Sequence, residues 1–261
     1  MQNEISQDIV QCAETVRTGD PDRFLSAMTA SGDARDALMV LYAFNVEVSR
    51  APWVTAEPMI AEMRLQWWLD AVEEIFEGGA VRRHQVVTPL AELVRRTGLR
   101  REWLDGIIAS RQWDIYKEPH ADAVALDRYL SATGGGLMAL AVTACGGDGD
   151  AAFEYGLGCA VARFLTAVPA LEAAARYPLV DGTSAGVREL AQAGLSRADA
   201  ARRMMRKPPS RARAALRAEW LARGILKQAI RDPALVVAGG LGMSEAGKKL
   251  RLIWVSALGL Y

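Results

Sequence analysis

Residues 155–171 read YGLGCAVARFLTAVPAL, an apolar run whose only charge is Arg163 and which contains no acid. At 3.6 residues per turn this is a buried helix of about five turns, starting at Asp150 and bent or ended at Pro169. Outward from it in both directions, apolar residues recur at spacings of three and four. No segment alternates with period two over a strand's length, so the chain reads as all-α.

Punctuation divides that pattern. Asp33 can cap a helix through DARDALMVLYAFNVEVS, and Pro52 stops it. Glu57 and Pro58 open a second long helix through MRLQWWLDAVEEIF, closed by Gly78 and Gly79. Further helices are expected over 89–96, 101–116 and 122–144. The segment YPLVDGTSAG at 177–186 is a loop. Beyond it lies an arginine-rich stretch whose helices break at Pro208 and Pro209, with Ser196 and Asp199 spaced like a capping box. MSEAGKKLRLIWVSALGL forms the last helix. With neither an internal repeat nor a low-complexity linker, residues 1–261 are read as a single domain.

Composition narrows the function. Hydrophobic residues make up 51% and charged ones 24%, enough for a sizeable core rather than a disordered chain. Lys plus Arg and Asp plus Glu balance at 31 each, so no global basic excess points to nucleic acid, and none is expected as a partner. Cys12, Cys145 and Cys159 lie far apart without C-x-x-C spacing, which argues against a disulfide framework or a zinc site and for a reducing, cytoplasmic setting. MQNEISQDIVQCAETV has acids where a signal peptide has a basic region, so no secretion is expected. GGGLMALAVTACGG at 134–147 is too short to span a bilayer, and no transmembrane segment is expected.

Two strings carry a family signal: LYAFNVEVSRAP at 41–52 and MRLQWWLDAVEEIFEG at 63–78. Together they resemble the squalene and phytoene synthase family, all-helical enzymes that join two prenyl diphosphates head to head. The resemblance implies a single-domain helical bundle of the isoprenoid (prenyl) synthase type, and it is clearest over residues 35–200. Tyr42, Ala43 and Phe44 match the first motif, whereas Asn45 and Val46 replace cysteine-arginine, and the aspartate positions that follow fall on Ser49, Arg50 and Trp53. Arg64, Leu65, Trp67 and Trp68 keep the next helix's pattern. Asp114, Tyr129 and Gly134 to Gly136 continue it in order. The second aspartate motif should follow GLGCAVA, but its place is taken by RFLTAVPAL, and the family's next motif is reduced to Arg176, Tyr177 and Pro178. Ala43 to Glu47 also resemble a divergent branch of the family, the mitochondrial complex I assembly factor 6 group and its bacterial relatives.

A prenyl diphosphate carries about three negative charges and is handled with two to three Mg²⁺ ions, each held through one or two carboxylates besides phosphate oxygens. The run from Ala37 to Ala56 offers one acid, Glu47, and the helix around Arg163 none. A catalytically degenerate member is therefore expected, with no catalytic residue, no metal ligand and no cofactor; Mg²⁺ enters only under the alternative of an active isoprenoid transferase. Asp70, Glu73, Glu74 and Glu77 read as a solvated outer face. His84 and His120 read as surface histidines, and the three glycines as a site of close helix packing.

Tyr42, Phe44, Asn45, Glu47, Arg64, Trp67, Trp68, Asp114 and Tyr129 are the candidates for a remnant cavity, open to an isoprenoid lipid or filled as core. Arg64, on a helix expected to be largely buried, needs a partner such as Glu47, Asn45 or Asp114. Arg202, Arg206 and Arg213 are candidates for a surface that meets an acidic partner or a membrane. The resemblance implies a role in assembling respiratory complex I, with its subunits or the membrane surface as partners and a location peripheral to the inner membrane.

Overall fold

The structure, a computed structural model, describes residues 2–30 and 32–261. Fourteen α-helices and no strand occur among the described residues. The first half contains α1 (Gln2–Gly19), α2 (Pro21–Ala27), α3 (Gly32–Arg50), α4 (Pro58–Glu77), α5 (Val87–Thr97), α6 (Arg101–Ser110), α7 (Ala123–Leu130) and α8 (Leu137–Ala144). Then follow α9 (Gly149–Ala173), α10 (Ser184–Met204), α11 (Ser210–Leu216), α12 (Ala222–Arg231), α13 (Ala234–Val237) and α14 (Glu245–Ala257).

Two helices carry the core. α3 is apolar nearly all round from Leu38 to Phe44 and is buried between α1, α2, α5 and α8. α9 buries most of its length against α8, α10, α12 and α13. By length and composition α9 could cross a membrane, but 61% of its most apolar window is buried inside the bundle, as befits a core helix. Each large side chain such as Phe44 or Leu165 that leaves water here contributes about 1.5–3 kcal/mol.

At α4 the expected boundaries hold. Pro58 opens α4 at its first position and Gly78 closes it with φ 74°, a left-handed conformation that suits glycine. Elsewhere they move. Asp33 lies inside the first turn of α3 rather than before it. Asp148, not Asp150, caps α9, its carboxylate accepting the Ala151 N–H at 3.1 Å. Pro169 does not end α9, which runs on to Ala173 because packing on both flanks compensates for one missing backbone bond. Ser196 and Asp199 lie in the middle of α10 and form no capping box; Thr183 caps that helix. α6 ends at Ser110 and passes into a 3-10 turn, Arg111–Asp114.

Between α7 and α8 the chain widens into a π-helical turn, Ser131–Gly136. It presses on α9 so closely that a methyl group at Gly134 would sit 2.2 Å from the Ala160 Cβ. α9 meets α10 equally tightly: a Cβ at Gly158 would lie 2.6 Å from the Ala198 nitrogen. Small residues on these faces let the backbones approach, and the π-helical turn borders the cavity described next.

Candidate functional site

A cavity of about 380 Å³ lies where α2, α3, the 3-10 turn at 111–114, α7, the π-helical turn and α9 converge. Six acidic and basic side chains line it: Asp20, Asp114 and Glu219 against Arg23, Arg111 and Arg163. Three acids and three arginines leave it formally neutral.

Four of these groups close a ring. Arg163, on α9, donates from Nε to both carboxylate oxygens of Glu219 at 3.0 Å, from Nη1 to Asp20 at 3.4 Å and from Nη2 to the Ala218 carbonyl at 2.8 Å. Arg23 donates to Asp20 at 3.0 Å and to Glu219 at 3.2 Å. Asp20 is also the N-cap of α2 and accepts the Arg23 backbone N–H at 3.0 Å. Burial alone would push the Asp20 carboxyl up, but Arg163, Arg23 and these hydrogen bonds outweigh it, so its pKa is lowered. Burial works against the Arg163 charge as well, yet Glu219 and Asp20 raise its pKa.

A second network also lines the cavity. Arg111 donates to the Tyr129 hydroxyl at 2.7 Å and to Asp114 at 3.3 Å, and Tyr129 donates to Asp114 at 3.2 Å. Here burial wins: the Asp114 pKa is raised in spite of Arg111, as is that of Tyr129. Arg176 donates to the backbone carbonyls of Asp114, Tyr116 and Trp113 and lies 4.4 Å over the Trp53 ring, which fixes the 3-10 turn in place.

Such a donor set does not fit the Mg²⁺ that the resemblance would bring. A hard cation needs carboxylate oxygens free to turn toward it. Those of Asp20, Asp114 and Glu219 are engaged by arginines, and a cation would enter beside three guanidinium charges. No cluster of three potential metal-ligating side chains occurs among the described residues.

The sequence candidates divide between this cavity and two other places. Asn45, Asp114 and Tyr129 line it. Tyr42 does not; it is buried, 5.5 Å from the Arg23 guanidinium, and its hydroxyl has no hydrogen-bond partner. Phe44 is filled core, edge-on to the buried Trp68 at 5.5 Å. Glu47, Arg64, Trp67 and Trp68 line a separate open groove of about 660 Å³, with Arg50 and His84. Arg64 is exposed and makes no ion pair or hydrogen bond among the described residues, contrary to the expectation of a buried arginine held by Glu47, Asn45 or Asp114. Water meets its charge instead.

Of the acids at 70–77 on α4, Glu73 and Glu77 are exposed as expected of a solvated face, whereas Glu74 acts structurally. Glu74 is held by Arg82 at 2.6 Å, and Arg82 also donates to the Trp67 carbonyl at 3.1 Å. Neither histidine is a simple surface residue. His84 is half-buried against Trp67 and Trp68, at 5.2 and 5.5 Å. His120 is buried, stacked on Trp113 at 4.1 Å, and burial pushes its pKa down to about 4. Of the arginines at 202, 206 and 213, the first lies 4.9 Å over the Tyr261 ring and the third donates to the Gly259 carbonyl at 3.2 Å, while Arg206 is exposed.

Sequence reasoning missed the ring itself. Glu219 had one signal, being the lone acid between Asp199 and Asp232. Asp20 had another, in the cap-like string Gly19-Asp20-Pro21.

A family model described as squalene/phytoene synthase matches residues 16–243. Among curated proteins, "NADH dehydrogenase (ubiquinone) complex I, assembly factor 6" of Bos taurus is 29% identical over 136 residues, 52% of this chain and 40% of that protein. Its Drosophila melanogaster homolog is 30% identical over 169 residues, 60% of this chain and 50% of that protein. The chain thus spans at most about half the length of these relatives. Among solved structures, a dehydrosqualene synthase in complex with ligand aligns with TM-score 0.79 at 14% identity, covering 98% of both chains. A squalene synthase from Alicyclobacillus acidocaldarius aligns with TM-score 0.73 at 18% identity, covering 88% of this chain and 96% of that one. At such identities the likeness is one of fold.

Proposed function

The chain belongs to the squalene/phytoene synthase family, and from that premise we propose that it is a non-catalytic member that assists assembly of respiratory complex I. The observation that carries the loss of catalysis is the pairing of Arg163 with Glu219 and Asp20. On the helix where the family's second aspartate motif is expected, a cation stands, and the nearest carboxylates are spent on it. A prenyl diphosphate entering this cavity finds no carboxylates free to hold bridging metals, and displacing Arg163 would leave Glu219 buried with Arg23 as its remaining partner. Turnover assayed with purified protein, Mg²⁺ and farnesyl or geranylgeranyl diphosphate should release no pyrophosphate; sustained release would restore the alternative, head-to-head prenyl transfer.

The assembly role is supported by the curated relatives in Bos taurus and Drosophila melanogaster, whose names state it of them. Deleting the gene should lower the amount of assembled NADH:quinone oxidoreductase, and unchanged assembly would reject the role. A second reading, carriage of an isoprenoid lipid, is favoured by the cavity's residual volume and by Trp53, Tyr129 and Phe164 on its walls. It predicts that a prenyl chain or quinone co-purifies and is found by extraction and mass spectrometry; a clean extract would reject it.

A further inference from the structure

The last helix leaves the wrong residues in water. Leu250, Ile253 and Trp254 of α14 are 70%, 66% and 65% exposed, while Leu252 and Val255 on the other face are buried in the bundle. With Ala257, the three fall at i, i+3, i+4 and i+7, one continuous stripe along the outside of the helix. Exposed Leu258 and Leu260 extend it. Keeping such a stripe wet is unfavourable, and contiguous apolar surface of this kind marks a binding face.

Cations flank the stripe. Lys249 and Arg251 stand on either side of Leu250, both exposed and neither in an ion pair among the described residues. Arg251 donates instead to the Trp220 carbonyl at 3.2 Å. The far end of α14 is tied to a basic segment at 202–213, which runs from the end of α10 into α11, because Arg213 donates to the Gly259 carbonyl and Arg202 covers the Tyr261 ring. In that segment Arg203, Arg206, Lys207 and Arg211 are exposed without ion pairs, beside Met204, which is 84% exposed.

We propose that the outer face of α14 and the adjoining basic segment dock the protein on an anionic lipid surface, with Leu250, Ile253 and Trp254 inserted at the level of the headgroups. Aliphatic side chains and a tryptophan on one face of a helix, bordered by lysine and arginine, are the composition that lies flat in a membrane interface. Charge complementarity selects the anionic lipid: cations stand on both sides of the stripe and continue past its end, which suits a plane of phosphates rather than one acidic spot on a protein. This docking does not depend on the complex I role proposed above.

The test is co-sedimentation of the purified full chain with vesicles of phosphatidylcholine alone or with about 30% phosphatidylglycerol. Binding is expected to the second and to weaken as salt is raised. Leu250→Glu and Trp254→Glu should each weaken it by about tenfold or more, since each removes a large apolar side chain from the interface. Both positions face solvent, so circular dichroism and the melting temperature should stay unchanged. An Ile253→Cys variant labelled with an environment-sensitive dye should brighten on binding; the three native cysteines are buried. Three results would overturn the proposal: no preference for anionic vesicles, binding indifferent to the two glutamates, or a solution dimer that these substitutions dissociate, which would make a second copy the occupant. If vesicles are ignored but the substitutions still impair complex I assembly, the lipid assignment falls and the assembly role stands; if vesicles are bound and gene deletion leaves complex I intact, the reverse holds.

Discussion

The Nε of Arg163 is held equally by both oxygens of Glu219, at 3.0 Å each, across 56 residues of sequence. That one contact joins α9 to the 3-10 turn at 217–219 and decides what the cavity can hold. Breaking it leaves a buried charge short of its partner, which costs far more than the intact pair contributes.

Arg163→Ala should therefore destabilise the fold by about 3–5 kcal/mol, and Glu219→Gln by a similar amount. Urea unfolding followed by circular dichroism measures both. The double variant should lose clearly less than the sum, because the two share one interaction.

Magnesium with pyrophosphate should leave the melting temperature of the native protein unchanged. A ligand bound at 100 times its dissociation constant would add about 2.7 kcal/mol and raise the melting point by several degrees. A reproducible rise of that size would mean that free carboxylates had been overlooked.

His120 sets a pH dependence. Its folded pKa is about 4, below the ordinary 6.5, because burial against Trp113 disfavours the cation. Between these values the unfolded chain binds the extra proton, so the contribution of His120 is fully present above about 6.5 and is lost as pH falls toward 4. His120→Phe, which keeps a ring on Trp113, should flatten this part of the stability-against-pH curve while leaving the carboxylate-driven part at lower pH.

Gly158→Ala and Gly134→Ala should each destabilise by about 1–3 kcal/mol or more through overpacking. Gly158→Ala should be the worse, since its methyl meets backbone of α10 at Ala198, whereas Gly134→Ala meets the side chain of Ala160. Thermal melts of the two variants rank them.

Phe44→Ala should cost about 3–5 kcal/mol as a core truncation, whereas Arg64→Ala, at an exposed and unpaired position, should stay within about 0.5 kcal/mol. Equal losses in the two unfolding curves would refute the placement of Arg64 in solvent.

How much of this the residues announce depends on the range of the interaction. Pro58 and Gly78 bound α4 where expected, because each acts on its own backbone. Of the glycines at 134–136, Gly134 and Gly135 signalled close packing because a missing side chain has few other uses inside a helix, whereas Gly136 leaves room for a methyl group. Arg163 was visible as a lone charge, but its partners were not: Glu219 and Asp20 come from turns 56 and 143 residues away, and no periodicity reports such pairing. His120 was misjudged for the same reason, since the polar string KEPHAD hides that its ring stacks on Trp113. Pro169 misled because its local effect was real but smaller than the packing around it.

The ring of two arginines and two acids also constrains which substitutions the site accepts. An aspartate at position 163 alone would face Glu219 and Asp20 across the space the guanidinium fills, setting three anions against Arg23. Building an acidic, cation-binding cavity here thus demands coordinated changes at positions far apart in the sequence, each harmful without the others, so the four side chains stand or fall as one unit.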